Sequence, residues 1–304
     1  MATSAIGPGF LTQTAYFTES LGASFAFAIL ASVLVDVAAQ ANVWRILGVA
    51  RRRGQELASE LLPGLGGVVA LLVAAGGFVF NVGNIAGCGM GLEVLGVPQR
   101  WGALLSALAA IALLALPRAG QAMDFFTKTL GGLMIALTAV VMVLSGPDYR
   151  AALRGAFFPG QLAVLPIVTL VGGTVGGYIT FSGVHRLLDA GIGGPGAVSR
   201  LTRASVLGIL ITAAMRVLLF LAILGVVSHA GPLDPANPAA SAFRLGAGEW
   251  GYRFFGVVLW SAAITSVVGC SYTSLSFVRG FSGLLDRHSR EALAPTEDVG
   301  PLAA

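Results

Sequence analysis

Two glycine-interrupted stretches carry the residue types able to hold a small solute or ion. In LVGGTVGGYITFSGVHRLLD, residues 170–189, the glycines Gly172, Gly173, Gly176 and Gly177 are interleaved with Thr174, Tyr178, Thr180 and Ser182. Glycine costs about 1 kcal/mol relative to alanine inside a helix, so two Gly-Gly pairs predict a helix broken between Gly172 and Tyr178. In SAIGPGFLTQTAYFTES, residues 4–20, the run Gly7, Pro8, Gly9 precedes Phe10, Gln13 and several threonines. Proline lacks an N–H and glycine resists helix, so a second break is predicted over Gly7–Phe10, with a helix starting at Phe10. The free N–H groups of such a start attract anions and polar ligands. Both stretches also fit a plainer reading. The first would be a close-packing glycine face, the second the capped start of a helix at the membrane surface.

The surrounding chain decides what kind of site this could be. Of 304 residues, 56% are hydrophobic and 11% charged, against about 25% charged in soluble domains, and mean hydropathy is +0.85. This is an integral membrane composition. The 18 basic and 14 acidic residues give a net charge of +4, with the basic ones in short loops between apolar runs, so no nucleic-acid partner is expected. Cys88 and Cys270 lie in apolar segments and read as small core residues. His185, His229 and His288 are expected in loops or the tail, without metal or triad spacing. No nucleophile elbow and no P-loop occur, so neither an enzyme nor an ATP-driven pump is expected, and no cofactor.

Seven apolar stretches of bilayer-spanning length are expected: Gly22–Gly48, Gly64–Leu95, Arg100–Leu116, Ala122–Leu144, Leu162–Leu188, Arg203–Val227 and Phe254–Val278. Ile6–Leu21 precedes them as a half-helix. Residues 1–285 are expected to form one transmembrane domain, and 286–304 a polar, disordered cytoplasmic tail. Eleven arginines fall on the side of the 51–53 loop and five on the other, so the positive-inside rule places the C-terminus in the cytoplasm and the chain in the cell (inner) membrane.

Ionisable groups at membrane depth are costly and often functional. Glu19, Asp36, Asp124, Lys128 and Arg216 are the candidates. Asp124 and Lys128, spaced i, i+4, are expected to pair on one helix face. Asp36 and Gln40 share a face that either lines a polar path or bonds a neighbouring helix. Arg216 requires an acid from another helix, or it snorkels. Asn81 and Asn84 share a face in mid-span, lining a hydrated pathway or bridging helices. Gly83, Gly87 and Gly91 beside them have small-xxx-small spacing, expected to serve close packing.

Two broken segments, one five spans after the other, fit an inverted-repeat transporter of the LeuT type. Over roughly Gly7–Phe281 the chain resembles the NRAMP family of divalent-metal transporters. GPGF (Gly7–Phe10) stands where that family has DPGN, NVGN (Asn81–Asn84) where it has DLAE, and GGTVGGY (Gly172–Tyr178) where it has GATVMPH. The resemblance implies an all-α integral membrane protein that moves a divalent ion such as manganese, iron or magnesium by alternating access, as a symporter. It also implies a shorter chain than the family's at both ends. The metal-binding aspartate and asparagine of the family are replaced by Gly7 and Phe10, its methionine by Gly176 and its histidine by Tyr178. The acidic pair tied to proton movement becomes Asn81 and Asn84. Divalent cations need carboxylate, imidazole or several oxygen ligands, so these residues argue against family-like metal binding. The substrate-binding set expected is Gly7, Pro8, Gly9, Phe10, Gln13, Thr174, Gly176, Gly177 and Tyr178, with a pathway of Asn81, Asn84, Glu19 and Asp36. The partners expected are a small-molecule or ion substrate and membrane lipid. Alternatives are a transporter of a small organic solute or carboxylate, and a truncated, non-transporting membrane protein.

Overall fold

The computed structural model describes residues 5–115 and 119–293, with side chains except at 119–128, 130 and 279–293. The described residues are almost wholly helical, as a backbone inside hydrocarbon must satisfy its own hydrogen bonds. In chain order the helices are α1 (Pro8–Leu21), α2 (Phe25–Ala50), α3 (Gly54–Leu61), α4 (Leu65–Val94), α5 (Gln99–Ala115), α6 (Ala119–Ser145), α7 (Tyr149–Phe157), α8 (Val164–Thr174), α9 (Tyr178–Asp189), α10 (Val198–Ala230) and α11 (Pro238–Leu293). Gly248, at φ 67° and ψ −164°, kinks α11.

Five stretches are long and apolar enough to cross a bilayer: 8–50, 65–94, 164–189, 195–230 and 238–278. A sixth is counted if α6 and α7, bent by 108°, are taken together. Among the described residues the count is therefore five to six, against seven plus a half-helix expected from the sequence, with the 119–128 part of α6 lacking described side chains. Two causes are physical. α5 has 17 residues, roughly 25 Å at 1.5 Å per residue, short of a core of about 30 Å. The N-terminal half-helix runs into α2 through a single 3₁₀ turn, Gly22–Ser24, rather than standing apart. The last helix reaches Leu293, past Asp286 where the tail was expected, because DRHSREAL offers good helix formers; residues 294–304 lie outside the described residues.

Small residues set the closest packing. Where α4 crosses α11, a Cβ added at Gly91 would stand 2.6 Å from the Trp260 nitrogen and 2.9 Å from the Gly256 oxygen. Backbone meets backbone there, which only glycine permits. Gly87 meets the Pro8 ring in the same manner, whereas Gly83 faces open space; the three-glycine packing face expected from spacing is thus two glycines and a gap. Aromatic packing fills the buried core between α2 and α10, with Phe25 and Phe220 edge to face at 5.9 Å. Leu71 and Phe78, about 70% exposed on α4, suit a lipid-facing side.

Candidate functional site

Both expected breaks exist, each narrower than its sequence suggested. At the N-terminus Gly7 is extended (φ −109°, ψ −175°) and caps α1, whose first residue is Pro8. Pro8, Gly9 and Phe10 are therefore the first helical turn rather than part of the break. Proline fits the first helical position because its missing N–H had no intrahelical acceptor anyway. The second break spans 175–177 rather than 172–178. Gly172 and Gly173 stay inside α8, and Val175 N–H still bonds the Val171 carbonyl at 2.9 Å. Gly177, at φ 54° and ψ −126°, then carries the chain on into α9, a positive-φ conformation that glycine adopts far more readily than other residues. A Cβ at Gly176 would run into the Gly172 carbonyl, so that position of the turn tolerates no side chain.

The two breaks meet at one cavity of about 230 Å³. Gly7, Gly9, Phe10 and Gln13 of the first segment line it, with Gly173, Tyr178 and Ile179 of the second and Phe80, Gly83 and Asn84 of α4. The first turns of α1 and α9 thus open on the same space, and helix geometry leaves their leading N–H groups without intrahelical acceptors. Tyr178, 1% exposed, packs edge to face on Phe80 at 5.3 Å and faces Asn84 and Cys270. The Gln13 Oε1 atom is buried with no hydrogen-bond partner. A Cβ at Gly7 would lie 3.1 Å from Ser266 Oγ and 3.4 Å from Asn84 Oδ1, so both polar atoms point at the N-cap of α1. Ser266 Oγ is itself buried and unpartnered.

Behind the cavity lies a buried charged layer. Arg216 of α10 is 2% exposed; its guanidinium sits 4.1 Å over the Phe10 ring and donates to Thr174 Oγ1 at 3.4 Å. Asp36 of α2, 1% exposed, faces both Arg216 and Thr174. The acid required for Arg216 is thus supplied by another helix, and the arginine does not snorkel. Gln40, four residues on, donates to the Ser205 carbonyl at 3.2 Å, so the Asp36–Gln40 face binds α10.

The remaining expectations separate. Asn84 is at the cavity, while Asn81 donates to Ser271 Oγ at 2.9 Å and so bridges α4 to α11. Glu19 is at the far end of α1, accepting from the Leu233 N–H at 2.8 Å; the structure places it away from the cavity. Thr174 and Gly176 lie at the second break beside the cavity rather than in its wall. His185 is not in a loop but inside α9, 1% exposed between Phe181 and Phe277, because its neighbours Phe181 and Val184 turn that helix face inward. His229, also expected in a loop, ends α10 with Nδ1 2.9 Å from the Gly225 carbonyl. Cys88 and Cys270 are both free and buried. The Asp124–Lys128 pair and the His288 side chain lie outside the described residues. Ser266 was missed by sequence reasoning, since one serine in SAAITSVVGC reads as a small packing residue.

Among the described residues no group of three or more His, Cys, Asp or Glu side chains could hold a metal ion. A helix interrupted at 175–177 and the break at Gly7 ahead of α1, around a shared cavity in an all-α membrane bundle, are the features of a LeuT-type fold. Solved structures agree. The chain matches the Eremococcus coleocola manganese transporter, crystallised with an aromatic bis-isothiourea compound, at TM-score 0.64 and 16% identity, covering 92% of this chain and 63% of that one. A histidine-to-alanine variant of that transporter matches at TM-score 0.65 and 14% identity, covering 96% and 70%.

The model of the family described as "Natural resistance-associated macrophage protein-like" matches residues 1–293, and the chain belongs to that Nramp family. It is 55% identical over 291 residues to the membrane protein YcsG of Bacillus subtilis (strain 168), covering 95% of this chain and 72% of that protein. It is 49% identical over 289 residues to a membrane protein of Haemophilus influenzae, covering 95% and 73%. The chain spans just under two thirds of the first manganese transporter structure and nearly three quarters of these two relatives.

Proposed function

We propose that this Nramp-family membrane protein is a secondary transporter that carries a small polar solute by alternating access, with the cavity between the two breaks as its transport site. The observation that carries this reading is the convergence of the α1 and α9 first turns on one space. Main-chain groups released at a break can bind a solute and rearrange without breaking a helix elsewhere. The lining donors are neutral amides, hydroxyls and main chain, and the nearest full charge is the Arg216 guanidinium against Phe10. That set supports an organic solute over a desolvated dication. The cytoplasmic placement of the C-terminus and the cell (inner) membrane follow from the arginine distribution and belong to the same proposal.

A metal-ion cargo is the second reading, supported by the manganese transporters that share the fold. A thiol placed in the cavity wall tests the first reading. Gly83→Cys in sealed vesicles is expected to react with an impermeant thiol reagent from either face, in proportions that shift when substrate is added. Labelling from one face only, under every condition, would sink alternating access. Manganese-dependent protection with no effect of organic solutes would favour the second reading.

A further inference from the structure

We propose that the solute is a small organic carboxylate, its oxygens held at the N-terminus of α1 by Ser266 and the first-turn N–H groups, with Arg216 as the opposite charge behind Phe10. The inference rests on the cavity being the transport site.

The helix start alone would not carry it. Ser266 is the independent observation: it is 1% exposed, its Oγ has no partner, and it lies 3.1 Å from where a Gly7 Cβ would stand. A buried hydroxyl without a partner costs about 1–3 kcal/mol, and an acceptor arriving at the α1 N-cap would satisfy it. The nearby amides can follow suit. Asn84 spends its Nδ2 on a 3.5 Å contact with Asn81, and Gln13 Oε1 is unpartnered, so either amide can turn to present N–H. Arg216 is the full charge nearest the wall, with Asp36 on its far side. It is 2% exposed, its Nη1 has no partner, and the Phe10 ring that lines the cavity lies 4.1 Å from it. Asp36 faces Arg216 and Thr174 and is not part of the cavity wall, so the wall itself offers no acid to repel an anion or attract a cation.

Size points the same way. A cavity of about 230 Å³ has room for several waters, more than a bare ion needs. Phe10, Phe80, Tyr178 and Ile179 make most of the remaining wall apolar, suiting a compact carbon skeleton behind one anionic head.

Calorimetric titration of the purified full chain tests this with matched pairs of one shape and different charge: propionate against propionamide, and benzoate against benzamide, with manganese chloride alongside. At least one carboxylate is expected to bind about tenfold tighter than its amide. Ser266→Ala is expected to weaken that carboxylate about tenfold, the loss of one hydrogen bond to a charged group, and to leave its amide within about twofold. Arg216→Gln is expected to erase the preference for the acid; if that variant does not fold, the Ser266→Ala result still decides. Equal binding of acid and amide, heat from manganese alone, or no heat from any probe each overturns the carboxylate. Transport is read separately: a carboxylate that binds with the expected preference but does not enter reconstituted vesicles leaves the site standing and sinks the transport reading.

Discussion

Gly7→Ala separates the site from the fold more cleanly than any charge change. Its backbone, at φ −109° and ψ −175°, is open to any residue, so no conformational cost arises. The added methyl would meet Ser266 Oγ at 3.1 Å and Asn84 Oδ1 at 3.4 Å. Ordinary contact begins at 3.4 Å, so the serine hydroxyl has to give by about 0.3 Å, which a small rotation supplies. Stability should therefore change by less than about 1 kcal/mol, below the 1–3 kcal/mol typical of overpacking. The methyl nevertheless stands between the two polar atoms aimed at the α1 N-cap and removes solute access to them. Losing a hydrogen bond to a charged group is worth about 1.5–3 kcal/mol, so binding should weaken by about ten- to a hundredfold. Gly76→Ala is the control: it lies outside the cavity lining, and nothing lies within 4 Å of its Cβ. Thermal unfolding in detergent and solute titration on the same preparations give both numbers. A Gly7→Ala protein of normal stability that binds like wild type would refute the placement of the solute at this cap.

Other expectations follow from the packing and the buried charges. Gly91→Ala, whose methyl would meet Trp260 and Gly256 backbone, should cost about 1–3 kcal/mol in thermal unfolding. Gly76→Ala, facing open space on the same helix, should be neutral or stabilising by up to about 1 kcal/mol. Arg216→Gln removes the charge that faces buried Asp36 and should lower the unfolding temperature; adding Asp36→Asn should recover part of it, and a strictly additive double mutant would mean that the two groups do not interact. For proton-coupled uptake, Asp36→Asn should alter the pH dependence while Glu19→Gln, still able to accept from Leu233, should not; the reverse pattern in vesicle uptake would move coupling to the far end of α1.

How much of this was visible in the residues depends on the range of the interaction. Glycine and proline act locally, so both breaks were legible, but their edges were not. Pro8 starts a helix rather than ending one, and Gly172 and Gly173 remain helical because the α8 hydrogen bonds continue through them. Arg216 announced a missing acid without naming it, since Asp36 lies 180 positions earlier and only the fold brings α2 to α10. Ser266 carried no local signal, as its role comes wholly from lying opposite Gly7. Gly83 and Gly87 are four residues apart and look alike on a helical wheel, yet only Gly87 has a neighbour to fit.

Four glycines, Gly7, Gly9, Gly83 and Gly173, stand in the cavity wall. At these four positions the wall is main chain and cannot be widened by trimming a side chain. It can be narrowed: Gly9 and Gly83 each have room for a methyl, whereas Gly7 and Gly173 face Ser266 and Gln13 at close range. Single-residue variation at Gly9 and Gly83 therefore leads towards smaller cargo while the bundle stays as it is. Room for larger cargo would have to come from the side chains that complete the wall, Phe10, Phe80, Tyr178 and Ile179, so narrowing and widening fall to different residues.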